Sequence, residues 1–230
     1  MSTAEIGTPM SFAGFDPKAI KSLNKDNARR QLAELAEAAN AAGLQRLAML
    51  AKAESGTTTF LGAVLDLAPF IRDTAILHPE FLEPLFETPI KTRVDSIINA
   101  IPGLGLSLES ESEVMSALRV AKAEAHFLIA LGDLGGMLGG AGTTALVSRL
   151  AIASTQAAIR FLLRDAARAG KLLLKNETEP EMGSGWIILG MGKLGAMELN
   201  YSSDIDLIVL FDPWAGILPD VHDGIETFTR

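Results

Sequence analysis

Two aspartates one residue apart, Asp204 and Asp206, stand at the head of an apolar run, Leu207–Phe211. On a β-strand, residues i and i+2 point to the same side, so this spacing predicts two carboxylates on one face. Like charges that close are costly unless a cation lies between them. Mg²⁺ suits such a pair, because it takes hard oxygen ligands, commonly one or two carboxylates plus substrate phosphates. A second apolar run, Trp186 to Leu189, ends in the turn Gly190-Met191-Gly192-Lys193-Leu194-Gly195. Its glycines permit close backbone approach and can aim N–H groups at an anion, while Lys193 adds a point charge. A metal-binding carboxylate pair beside a phosphate-binding turn is the minimal kit for phosphoryl or nucleotidyl transfer.

The same residues permit other readings. Gly190, Gly192 and Gly195 spell G-x-G-x-x-G after a strand, and Asp212 stands near where a ribose-binding acid of a dinucleotide site belongs. Against that reading, Asn200-Tyr201-Ser202-Ser203 leaves little more than two helical turns between the runs, and Asp204 and Asp206 go unexplained. A Walker-type loop fails because Leu194, not Ser or Thr, follows Lys193. The plain structural reading has Asp204 capping a turn and Asp206 solvated at a strand edge.

The elements that must position these residues differ before and after residues 175–184, a polar stretch with Pro180 and Gly183 that reads as a linker. Before it, residues 27–174 read as a helical region. Leucines and alanines recur at helical spacing over residues 27–53 with a break at Gly43, and again over residues 61–77 with Pro69 as a kink or helix start. His78 before Pro79 reads as a helix-end residue. Residues 103–113 read as a loop, with Ser110 or Ser112 capping a helix from Val114 to Leu134. Arg119 and Lys122 on that helix read as a solvated face, since Glu124 and His126 interrupt the basic run. A glycine-rich helix connection follows at residues 132–142, then a helix over residues 143–174. Arg160, Arg164 and Arg168 form a stripe on that helix, expected to be its wet face. After the linker, residues 185–230 hold the two strands. Residues 1–26 read as a flexible tail.

Composition narrows the class. The 230 residues carry a net charge of -8 with 48% hydrophobic and 21% charged residues, as in a soluble globular protein. The acidic balance argues against a nucleic-acid partner. The absence of cysteine removes disulfides and thiolate sites and suits the cytoplasm. Residues 1–16 lack the pattern of a signal peptide, and no apolar run was expected to reach the length of a membrane span.

Gly190-Met191-Gly192-Lys193-Leu194-Gly195, Glu198-Leu199-Asn200 and Ser202-Ser203-Asp204-Ile205-Asp206-Leu207-Ile208 together resemble the glutamine synthetase adenylyltransferase/adenylyl-removing enzyme family. The Glu-Leu-Asn wording, and residues 70–82, are similar to the N-terminal, deadenylylating half. The resemblance implies an α+β chain: a mostly helical N-terminal region followed by an incomplete DNA polymerase β-like nucleotidyltransferase palm. It implies Asp204 and Asp206 as catalytic, Mg²⁺-holding residues, with Gly190, Gly192, Lys193 and Ser203 at the nucleotide phosphates. It also implies glutamine synthetase as partner, ATP, ADP and phosphate as small-molecule substrates and products, and regulation by a nitrogen-signalling protein. Ala196 and Met197 depart from the glycine-rich wording of the family at this turn. Such palms complete their metal site with a third carboxylate on a later strand. Only Asp212, Asp220, Asp223 and Glu226 follow Asp206, so the chain is expected to be a partial product. A catalytically incomplete interaction module is the alternative function. The acidic pI and the Glu198-Leu199-Asn200 wording count against a tRNA- or antibiotic-modifying transferase.

Overall fold

The computed structural model describes residues 12, 15, 16 and 18–218. Asp220, Asp223, Glu226 and the helix start expected at residues 223–230 lie outside the described residues. The helices are α1 (Lys25–Ala41), α2 (Gln45–Lys52), α3 (Gly56–Leu67), α4 (Pro69–Leu77), α5 (Ile90–Ser107), α6 (Glu111–Leu134) and α7 (Gly140–Arg168). Two short 3₁₀ turns at Pro79–Phe81 and Glu83–Phe86 link α4 to α5. Strand β1 (Trp186–Gly190), the single turn α8 (Gly192–Gly195) and strand β2 (Leu207–Phe211) complete the order. Among the described residues the chain is thus α+β, mostly helical with one two-stranded sheet.

Two compact units divide the chain: Met1–Ser96 with Ala123–Thr143, and Ile97–Lys122 with Thr144–Arg230. The divisions fall inside α5, α6 and α7, not in residues 175–184.

In the first unit, Gly43 (φ 77°) makes the left-handed turn that separates α1 from α2. Pro69 is the first residue of α4, where its missing N–H costs nothing. His78 closes α4, stacks on Phe81 at 4.8 Å and meets Glu80 at 3.0 Å. Phe12 and Phe15, which fall in the stretch expected to be a flexible tail, are buried. Phe15 stacks on Phe60 at 4.5 Å and Phe12 meets the edge of Phe86 at 5.3 Å. Burial of two such rings is worth several kcal/mol, which outweighs the entropy of fixing two side chains, at about 1 kcal/mol each. Asp66 at the end of α3 anchors the segment before α1, accepting from Ser22 Oγ, the Leu23 and Asn24 amides and Asn27 Nδ2. The buried Glu124 carboxylate pairs with Arg93 at 2.6 Å.

In the second unit, three expectations need correction. Residues 103–107 are helix, because α5 continues through Pro102 to Ser107. Gly105 explains the continuation: a Cβ there would run into the Ala157 carbonyl oxygen, so glycine alone lets α5 lie directly against α7. Ser110 then caps α6, with Glu113 N–H donating to Ser110 Oγ and the Glu113 carboxylate accepting from the Ser110 amide at 3.0 Å. The second correction concerns the arginine stripe, of which Arg160 and Arg164 turn inward and only Arg168 stays on a wet face. Arg164 donates to the Gly105 carbonyl at 2.8 Å, satisfying an orphan acceptor in the last turn of α5. Arg168 pairs with Glu109 at 2.7 Å, and Arg160 with Glu181 at 2.7 Å. Helix α7 is also long and apolar enough to cross a membrane by length and composition, contrary to expectation, with 44% of its apolar window buried within the protein. Leu163, Leu172 and Ile217 form a small core, with Trp186 and Leu174 packed against it.

Candidate functional site

Strands β1 and β2 pair antiparallel, Trp186 opposite Phe211 and Gly190 opposite Leu207. A dinucleotide-binding crossover needs parallel strands, so the G-x-G-x-x-G reading falls here. The glycine turn and the aspartate loop meet at the open end of the hairpin. Met191 N–H donates to the Asp206 carbonyl at 2.8 Å, extending the ladder one step past β2. Asp204 and Asp206 were expected on the strand itself. They instead precede it, in an extended stretch that joins the ladder through one backbone bond, with β2 starting at Leu207.

The turn is built by close packing. A Cβ on Gly195 would strike the Gly190 carbonyl oxygen, so the chain can fold back on β1 only without a side chain there. Leu194 is buried and fixes the inner side of α8. The first turn of α8 leaves the amides of Gly192, Lys193 and Leu194 without intrahelical acceptors. Met197 follows at φ 60°, the one non-glycine in the left-handed region among the described residues. The methionine carries the strain of that conformation.

Asn200 organises the loop. Its Oδ1 accepts from Ser203 Oγ at 2.6 Å and from the Ser202 amide at 3.2 Å, an Asx-type turn that sequence reading passed over although Asn-x-Ser-Ser is its signature. Lys193 Nζ lies 3.5 Å from Ser203 Oγ. The structure therefore gathers Gly190, Gly192, Lys193, Ser203 and Asp206 around one end of the hairpin, with Asp204 next in the loop.

Helix α7 holds this assembly at two places that no local motif announced. Ser148, fully buried, accepts from the Leu199 amide at 3.0 Å. Arg160 and Gln156 together grip Glu181, in the turn before β1. Partial burial pushes the Glu181 carboxyl up, and the hydrogen bonds from Arg160 and Gln156 outweigh it, leaving its pKa below the usual carboxylate value. Between α7 and the hairpin is a cavity of about 480 Å³, lined by Ile152, Gln156, Ile159, Ile188, Leu194 and Met197 among others.

The carboxylates of Asp204 and Asp206 are exposed and enter no ion pair or hydrogen bond among the described residues. Two carboxylates with their oxygens open fit the donor set Mg²⁺ prefers, the remaining positions being left to water and substrate oxygens. Among the described residues no group of three or more acidic or histidine side chains is placed to hold a metal.

Residues 58–230 match the profile of the glutamate-ammonia ligase adenylyltransferase family. The chain belongs to that family. A bifunctional glutamine synthetase adenylyltransferase/adenylyl-removing enzyme of Mesorhizobium japonicum is 50% identical over 209 residues, 90% of this chain and 21% of that protein. Enzymes of the same name from Brucella suis and Rhizobium meliloti are each 41% identical, covering 92% and 96% of this chain. The chain spans about a fifth of the length of these adenylyltransferase relatives. No solved structure matches it.

Proposed function

We propose that this chain carries the metal-holding loop of a nucleotidyltransferase that removes AMP from a tyrosine of glutamine synthetase. The hairpin is read as the first part of a polymerase β-like palm. The observation that carries this reading is the meeting of the glycine turn with the aspartate loop, through Met191 N–H to the Asp206 carbonyl and Lys193 beside Ser203. The names of the relatives support glutamine synthetase as the substrate, and the Glu198-Leu199-Asn200 wording supports the adenylyl-removing direction.

In the reaction, an oxygen of inorganic phosphate attacks the phosphorus of tyrosyl-AMP. The new P–O bond makes ADP, the bond from phosphorus to the tyrosine oxygen breaks, and the phenolate takes the proton from phosphate. Asp204 and Asp206 would hold Mg²⁺, which supplies charge stabilisation for the attacking and leaving oxygens. Lys193 and the Gly190–Gly192 backbone orient the phosphate groups, and Ser203, turning its O–H away from Asn200 Oδ1, donates to them. The adenylyltransferase activity in the relatives' name is read as a separate reaction, in which the tyrosine oxygen attacks the α-phosphorus of ATP and pyrophosphate leaves, and a nitrogen-signalling protein would regulate both.

The test is ADP formation from adenylylated glutamine synthetase and phosphate, using the full-length gene product. Asp204→Asn and Asp206→Asn should each lower turnover about 100-fold or more while partner binding, read by gel filtration, persists. Unchanged turnover in both variants would sink the proposal and favour an interaction module.

A further inference from the structure

We infer that Ser148, in the first third of α7, is a positioning residue for the aspartate loop; this rests on the reading of Asp204 and Asp206 as metal-holding residues. Ser148 is fully buried, and both functions of its hydroxyl are used. The O–H donates to the Thr144 carbonyl one turn back at 2.8 Å, which aims a lone pair outward from the helix. That lone pair accepts the Leu199 N–H at 3.0 Å. Leu199 is itself buried, so its amide has no water to fall back on.

The consequence runs along the chain in one direction. Leu199 is pinned, the next residue is Asn200, and Asn200 Oδ1 fixes Ser202 and Ser203. Asp204 follows at once. Preceding residues cannot substitute as the anchor. Glu198 N–H bonds back to the Lys193 carbonyl within the same loop, and Met197 is held in a left-handed conformation. The side chain of Ser148 thus ties the loop between α8 and β2 to α7 at Leu199. Two other hydroxyls on α7 bond back into the helix: Ser154 donates to the Leu150 carbonyl and Thr155 to the Ala151 carbonyl. Ser148 differs from them by the loop amide it receives.

Ser148→Ala removes the acceptor and leaves the Leu199 amide buried without one, whereas Ser154→Ala removes a similar back-bond and touches no loop. The experiment compares both variants with the parent protein by hydrogen exchange and by Mn²⁺ titration, with circular dichroism to verify that each is folded. The expected result for Ser148→Ala is at least tenfold faster exchange across residues 199–206, unchanged exchange in the middle of α7, and several-fold weaker Mn²⁺ binding. Ser154→Ala should match the parent protein in both. Unaltered exchange at residues 199–206 overturns the inference whatever happens to Mn²⁺, and faster exchange with undiminished Mn²⁺ affinity overturns the positioning role. If the parent protein itself binds no Mn²⁺, the metal reading fails, and exchange alone decides whether Ser148 holds the loop. Should Ser148→Ala not fold, Ser148→Cys, which keeps the volume with a weaker acceptor, carries the same comparison.

Discussion

Arg160 on α7 and Glu181 in the turn before β1 form a forked pair, with Nη2 and Nε both within 2.8 Å of Oε1 and Nε 3.0 Å from Oε2. Ser184 then donates its hydroxyl to the Glu181 carbonyl and accepts the Trp186 amide, so the grip on Glu181 is passed on to the first residue of β1. The arginine side chain is 12% exposed and the glutamate 27%, which places the pair between a surface ion pair and a buried one.

That intermediate burial sets the size of the first prediction. Arg160→Ala should lower the unfolding free energy by about 2 kcal/mol, less than breaking a fully buried pair and more than losing a surface one. Arg160→Lys, which keeps charge but not the planar fork, should recover only part of the loss. Urea unfolding followed by Trp186 fluorescence reads both, and an Arg160→Ala effect below about 0.5 kcal/mol would show the pair to be incidental.

Asp66 gives a prediction about acid. The Asn27 side chain first, then the Asn24 amide and the Ser22 hydroxyl, hold its pKa down from 3.8 to about 2 in the folded protein. A carboxylate whose folded pKa is depressed stabilises the fold above its unfolded value and loses that contribution as pH falls through the folded one. The protein should therefore be more stable than an Asp66→Ala variant at neutral pH, with the gap shrinking as pH drops from about 4 toward 2. Thermal melts of both proteins at stepwise pH test this. A gap that stays constant over that range would mean the anchoring is independent of ionisation.

Glycine substitutions separate packing from propensity. Gly195→Ala forces a methyl against the Gly190 carbonyl, so the turn must open, at a cost of about 1–3 kcal/mol. Gly103, inside α5 with nothing within 4 Å of its would-be Cβ, should do the opposite: Gly103→Ala should stabilise by about 0.5–1 kcal/mol. Denaturant midpoints of the two variants, with the Met191 and Asp206 amide shifts as the local readout for Gly195→Ala, check the pair. Equal effects of the same sign would contradict the packing described for the turn.

What the sequence determined by itself is local. Periodicity placed the main helices, Gly43 and Pro69 marked real boundaries, and Ser110 capped α6, because these depend on residues within one or two turns of each other. The family wording of the glycine turn and aspartate loop was legible for the same reason: it is one continuous stretch. Only the tertiary structure decided what the isolated polar residues do. Nothing near Arg160, Arg164 or Arg168 in sequence distinguishes a solvated stripe from one that grips Glu181, the Gly105 carbonyl and Glu109. The loop expected at residue 103 became helix because Gly105 meets a carbonyl 52 residues away on α7, between residues 105 and 157. Ser148 acquired its role from an amide 51 residues distant. A hydrogen bond or a close contact costs or contributes free energy according to which groups burial brings together, and that pairing is a property of the packed chain.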